Sequence, residues 1–148
     1  MAHLNQIAFY APTDARANQI KRQFGLQSAK WIHDTVRCRS MLYPEKKYVE
    51  QIAELQFCDA LGMQFEILRF THGDHWCSKR ANGNTFIAHI GIHLELNDEW
   101  PAIAGRLVQE TWTVSHSNPL IPTNRMYHYR IYQMAPDVYV KYIKREER

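Results

Sequence analysis

The sequence predicts an α+β fold in which a strand, a helix and three strands occur twice and enclose a central cavity. Three stretches predict it. Phe86–Glu95, FIAHIGIHLE, alternates with a period of two, as does Leu4–Tyr10 near the start of the chain, and a polar, glycine-bearing, aperiodic stretch, Thr71–Thr85, separates two strand-rich halves. In Phe86–Glu95, Ala88, Ile90, Ile92 and Leu94 fall on one side, and Ile87, His89, Gly91, His93 and Glu95 on the other. A strand of this kind packs with its greasy face and lines a pocket with its polar one.

In Leu4–Tyr10, Ile7 and Phe9 oppose Gln6, Ala8 and Tyr10. Ala11-Pro12 ends this strand. Thr13 or Asp14 can cap a helix over ARANQIKRQF, in which Ala17, Ile20 and Phe24 lie about a turn apart and Gly25 can stop the helix. Trp31–Leu42 is rich in aromatic and β-branched residues and reads as extended, with turn chemistry at Tyr43-Pro44. Val49–Phe57 alternates weakly, and Asp59–Gly62 makes a turn into Met63–Phe70, where Phe65 and Ile67 oppose Gln64, Glu66 and Leu68.

The second half repeats the order. Asn97 or Asp98 can cap a helix over Glu99–Glu110, with Pro101 in its first turn and Trp100, Ile103, Leu107 and Val108 as its apolar stripe. Trp112–His116 is β-like and Ser117–Asn124 a loop; Met126–Gln133 and Val138–Ile143 are strands around Ala135-Pro136-Asp137, and KREER is a solvated tail. The halves are 1–72 and 86–148, joined by 73–85, in one compact domain. Their likeness is one of element order, not of letters.

A 45% hydrophobic, 22% charged composition excludes disorder, and a net charge of +3 is too small to mark a nucleic-acid binder. Cys38, Cys58 and Cys77 are widely spaced, so no disulfide framework or zinc ribbon is expected. No stretch reaches a membrane span and Met1–Tyr10 lacks a signal-peptide core, so a soluble, cytoplasmic protein is expected. Phosphate-cradling glycine loops, G-x-S-x-G elbows and H-E-x-x-H helices are absent from the sequence.

With LNQIAFYAP opening one half, FEILRF closing it and FIAHIGIHLE opening the next, the chain resembles the vicinal oxygen chelate superfamily, which includes glyoxalase I, fosfomycin- and bleomycin-resistance proteins and extradiol dioxygenases. The resemblance implies two βαβββ modules forming an incomplete barrel around a divalent-metal site, with one ligand from the first and last strand of each module. Those positions fall on Gln6, Glu66, His89 and Lys141. The first three match the Gln, Glu, His order of one glyoxalase I branch, whose fourth ligand is a glutamate that also moves the proton. Lysine stands there instead; an ammonium repels a cation and cannot replace a carboxylate base. The resemblance implies a lyase, isomerase or dioxygenase acting on paired substrate oxygens with Zn, Ni, Mn or Fe, and allows a homodimer. The alternative is a metal-free ligand-sequestering or protein-interaction member of the same fold.

Read without the family, Gln6, Glu66 and His89 are three polar residues opposite apolar neighbours in three strands. Amide, carboxylate and imidazole suit a hard or borderline divalent ion; they can equally line a wet cavity and hydrogen-bond one another. Lys141 either pairs with Glu66 and holds an anionic ligand, with Tyr139 on the same face, or snorkels to solvent. His93 shares the His89 face, as an acid/base or substrate contact or as a half-exposed strand end. His128 and Arg130 share a face with Tyr132, a mixture that binds an anionic, flat group or packs as ordinary sheet surface. Arg37 and Arg39 carry the same ambiguity, and His72, Asp74 and His75 read as loop polarity.

Overall fold

The structure is a computed structural model that describes residues 3–43, 47–72, 84–101, 109–116, 125–135 and 138–147. Among the described residues it has eight strands and one helix: β1 (His3–Tyr10), α1 (Asp14–Gln23), β2 (Ile32–Tyr43), β3 (Lys47–Ala60), β4 (Met63–His72), β5 (Phe86–Leu94), β6 (Gln109–His116), β7 (Arg125–Ala135) and β8 (Val138–Glu147).

Alternation makes the strands, and local chemistry ends α1. Thr13, with extended backbone, caps the helix by accepting a hydrogen bond from the Arg16 N–H at 3.2 Å. At the other end Gly25 takes φ +67°, and the Gly25 and Leu26 N–H groups donate to the Arg22 and Lys21 carbonyls at 3.0 and 2.8 Å. That is a Schellman ending, and it needs a residue free to adopt positive φ. β3 and β4 are joined by Leu61-Gly62 alone, at φ 55° and 76°, between the paired Ala60 and Met63. A two-residue hairpin with both angles positive matches the strand twist.

The strands form one mixed sheet that curls into a barrel, in the order β1-β4-β3-β2-β6-β7-β8-β5 and back to β1. β1 is parallel to β4, and β5 to β8; the other pairs are antiparallel. The first four strands thus follow the order 1-4-3-2 and the last four 5-8-7-6, joined along β1/β5 and β2/β6.

Outside the barrel α1 lays Ala17 and Ile20 on Phe9, Cys58, Phe65 and Ile67. Phe24, at 41% exposure, still sets its ring 5.2 Å from Phe9 and 5.3 Å from Phe65. Inside, Ala8, Tyr10, Leu68 and Ala88 form one buried cluster, and Val36, Ile131 and Tyr139 another. Leu55 and Phe70 touch both, so they make one continuous apolar filling.

Four expectations change. The β1/β5 register shifts twice, between Leu4 and Gln6 and between Ala8 and Phe9, leaving Asn5 and Ala88 as extra residues. The bulge at Ala88 reverses the alternation, so Ile87 pairs with Phe9 on the helix side and is 47% exposed, away from His89. The KREER stretch does not begin as a solvated tail: β8 runs to Glu147, and Lys144 is buried, its ammonium donating to the Leu96 carbonyl at 3.3 Å and to that of Asp98. The helix expected over Glu99–Glu110 gives way to strand at Gln109, while 102–108 lie outside the described residues. Thr71 and His72 belong to β4 and not to the connection. The Pro44 turn, Asp74, His75, the Ser117–Asn124 loop and Pro136-Asp137 also lie outside the described residues.

Candidate functional site

Register assembles the site. Gln6 pairs with Gln64 on β4 and with Gly91 on β5, and Gly91 with Lys141 on β8. Two residues along β1, Ala8 pairs with Glu66 and with His89. Paired residues share a face of the sheet. Gln64, Gln6, Gly91 and Lys141 therefore form one inward row, and Glu66, Ala8 and His89 the next.

Within these rows the amide of Gln6 is the hub. Its Nε2 donates to Gln64 Oε1 at 2.7 Å and to Glu66 Oε2 at 3.3 Å, and its Oε1 lies 2.9 Å from His89 Nε2. With the amide N–H groups committed to two acceptors, its oxygen faces the imidazole, which assigns a hydrogen to His89 Nε2. Glu66 Oε1 is 3.9 Å from the same nitrogen. All three side chains are buried, at 5%, 7% and 3% exposure for Gln6, Glu66 and His89. The amide, acid and imidazole expected to meet do meet.

Gly91 is what lets Gln6 lie there. A Cβ at Gly91 would stand 2.7 Å from Gln6 Cβ and 2.8 Å from Gln6 Oε1. Only a glycine leaves room for the amide to cross from β1 over β5 toward His89. Gln64 and Gly91 belong to the site alongside the residues chosen from sequence. Gln64 carried a signal, being two residues from Glu66 on the same strand face.

The remaining candidates separate. Lys141 is buried inside the barrel rather than snorkelling out, its Nζ 3.9 Å from the Tyr129 ring centroid. Tyr139 is buried on the same strand face but belongs to the apolar cluster with Val36 and Ile131. His93 pairs with His3 across the bulged β1/β5 ladder, ring centroids 5.8 Å apart. Burial, then His3, Arg145 and Lys141, push the His93 pKa below its usual 6.5, against Glu95 alone. His128 and Arg130 face the other way. Their pairing with Lys144 and Tyr142 places them on the barrel's outer surface, where His128 Nε2 meets Glu146 Oε2 at 3.1 Å and Arg130 stacks 4.6 Å from the Trp100 ring. Lys144 contacts the same indole at 4.6 Å, so these residues clasp the 95–100 segment to the sheet.

A cavity of about 690 Å³ lies elsewhere, between α1 and the outer faces of β2, β3 and β4. Its charged walls are tied to one another: Arg69 bridges Asp14 at 2.9 Å and Glu54 at 2.8 Å, and Lys21 donates to Gln56 and sits 4.8 Å from the Trp31 ring. Beside it, burial and then Asp59 raise the Cys58 thiol pKa, the opposite of thiolate activation.

Among the described residues no group of three or more His, Cys, Asp or Glu side chains is placed to hold a metal ion. The Gln6, Glu66 and His89 set contains two such groups and an amide. None of the described helices is long and apolar enough to cross a membrane. No family model matches the chain, and no curated protein matches it.

Proposed function

We propose that the polar half of the barrel interior is a small-molecule site of the vicinal oxygen chelate type, in which Gln6, Glu66 and His89 hold a divalent ion and Lys141, with Tyr139 deeper in the barrel, orients an anionic substrate bearing paired oxygens. The observation that carries this is the convergence of three donor groups from β1, β4 and β5, with His89 Nε2 2.9 Å from Gln6 Oε1 and 3.9 Å from Glu66 Oε1. Ligands held at about 2.0–2.2 Å from a common ion stand roughly 3–4 Å from one another. The donor set fits. The shared strand order of the two halves, 1-4-3-2 and 5-8-7-6, supports paired βαβββ modules.

In this reading His89 moves its hydrogen to Nδ1 and offers Nε2, Gln6 offers its amide oxygen, and Glu66 supplies the negative charge. Bound between these three side chains, a divalent ion would supply Lewis-acid polarisation of paired substrate oxygens. Lys141 holds the substrate's negative charge, and the apolar filling around Tyr139 excludes water from the far end.

A second reading rests on one observation: Lys141 is buried on the inward row at the position where the resemblance asks for an acid. Its ammonium then stands in for the ion, and the barrel sequesters a ligand without metal. Metal content of protein purified without chelator separates the two. Stoichiometric metal that is lost in Glu66→Ala supports the first; none in the parent, with uptake by Lys141→Glu, overturns it in favour of the second.

A further inference from the structure

Gln64 is not one of the three donors, yet it accepts the shorter of the two hydrogen bonds that the Gln6 amide donates. Its Oε1 lies 2.7 Å from Gln6 Nε2, against 3.3 Å for Glu66 Oε2 at the same nitrogen. Register arranges this, because Gln6 and Gln64 are partners in the parallel β1/β4 ladder and share the inward face. A primary amide is planar, with two N–H groups at one end and the carbonyl oxygen at the other. A single acceptor at the N–H end lets the plane turn about that bond; two acceptors fix it. Gln64 and Glu66 supply the two from positions about 6.6 Å apart along β4. Gln6 Oε1 is thereby turned to the His89 side, 2.9 Å from Nε2.

We infer that Gln64 is a positioning residue for this site: by holding one N–H of Gln6 it keeps the amide oxygen turned to the centre, and so makes the centre select a cation. The inference rests on the reading that Gln6, Glu66 and His89 receive a divalent ion, and it adds what makes the uncharged oxygen donor of the three a dependable one. Orientation decides the chemistry. With its oxygen inward, Gln6 joins the Glu66 carboxylate in presenting acceptor oxygens to whatever lies between them and His89, as a hard or borderline cation requires. Turned half round, the same amide would present N–H donors and repel the cation. Gln64 acts through Gln6 and is not itself a ligand, since its oxygen sits on the nitrogen side of the amide, away from His89.

The test is a double-mutant cycle on the full chain after chelator treatment, at fixed pH, read by Zn²⁺ titration and, without metal, by hydrogen exchange of the Gln6 side-chain amide followed by NMR. Gln64→Met keeps the length of the side chain and removes the acceptor. It should weaken Zn²⁺ binding at least tenfold and speed exchange of the Gln6 amide protons at least tenfold. Gln64→Glu, which restores an acceptor, should return that exchange to the parent rate. A carboxylate at position 6 has two equivalent oxygens and no end to turn, so in the Gln6→Glu background Gln64→Met should change Zn²⁺ affinity less than threefold. Equal weakening in both backgrounds, or Gln6 amide exchange unmoved by Gln64→Met, overturns the proposal. Absence of Zn²⁺ binding in the parent, with amide exchange responding as expected, removes the ion and leaves Gln64 holding the amide. Zn²⁺ binding that ignores Gln64→Met removes the positioning role and leaves the ion.

Discussion

The two ends of the barrel interior are built from the same strands and could hardly differ more. Toward one end β1, β4, β5 and β8 contribute Tyr10, Leu68, Phe86 and Tyr139; toward the other the same strands contribute Gln6, Gln64, Glu66, His89 and Lys141. Burying each large apolar side chain is worth about 1.5–3 kcal/mol, whereas an exchanged hydrogen bond nets about 1 kcal/mol, and a buried charge opposes folding unless it is paired. The apolar end therefore holds the barrel together, and the polar end is carried by it. A side chain that contributes little to folding and costs something to bury is where binding function belongs.

Variants at the two ends should separate along that line. At the apolar end Leu68, 5% exposed and paired with Leu55, should cost about 2–5 kcal/mol when truncated in Leu68→Ala, measured by chemical denaturation, with ligand or metal affinity little changed. If that variant unfolds as easily as Glu66→Ala does, the division of labour fails. Gly91→Ala lies at the polar end and places a methyl 2.7 Å from Gln6 Cβ. Overpacking of this kind costs about 1–3 kcal/mol, and its sharper effect is to push the amide off His89, seen as a shift of the His89 ring signals. The smallest effect concerns acid. Because burial and its cationic neighbours hold the folded His93 pKa below 6.5, the unfolded chain takes up the proton first as pH falls. Stability should then decline from about pH 6.5 down toward the folded pKa, and His93→Gln should flatten that decline; denaturation midpoints at pH 7.5 and 5.5 measure it.

Period-two patterns located Gln6 with Ala8 and Tyr10, Glu66 with Leu68, and the strands that carry them, because each strand has one face against a core and the pattern records it. The cap at Thr13 and the stop at Gly25 were legible for a similar reason, being local chemistry read within a turn or two. What alternation could not reveal is where it breaks. Strict counting from Phe9 back to His3 puts that histidine on the helix side, and counting from His89 to Ile87 puts the isoleucine inside; the extra residues Asn5 and Ala88 reverse both. That His128 and Arg130 share a face with Tyr132 is legible in the alternation, but not that this face looks out of the barrel, which the pairing with β8 decides. From sequence Lys144 reads as part of a solvated tail, because a charged run carries no sign of the carbonyls that await it.

The two bulges have a consequence beyond bookkeeping of faces. They sit on either side of Gln6 and Ala8 along the seam between the barrel's halves, and neither Asn5 nor Ala88 needs to touch a ligand to matter. Each acts as a phase adjuster in the ladder, turning the chain by half a period so that His3 and Gln6, or Phe86 and His89, look the same way although an even number of positions does not separate them. Which chemistry faces the lumen is thus fixed by chain length at two points, as well as by which amino acids the strands contain.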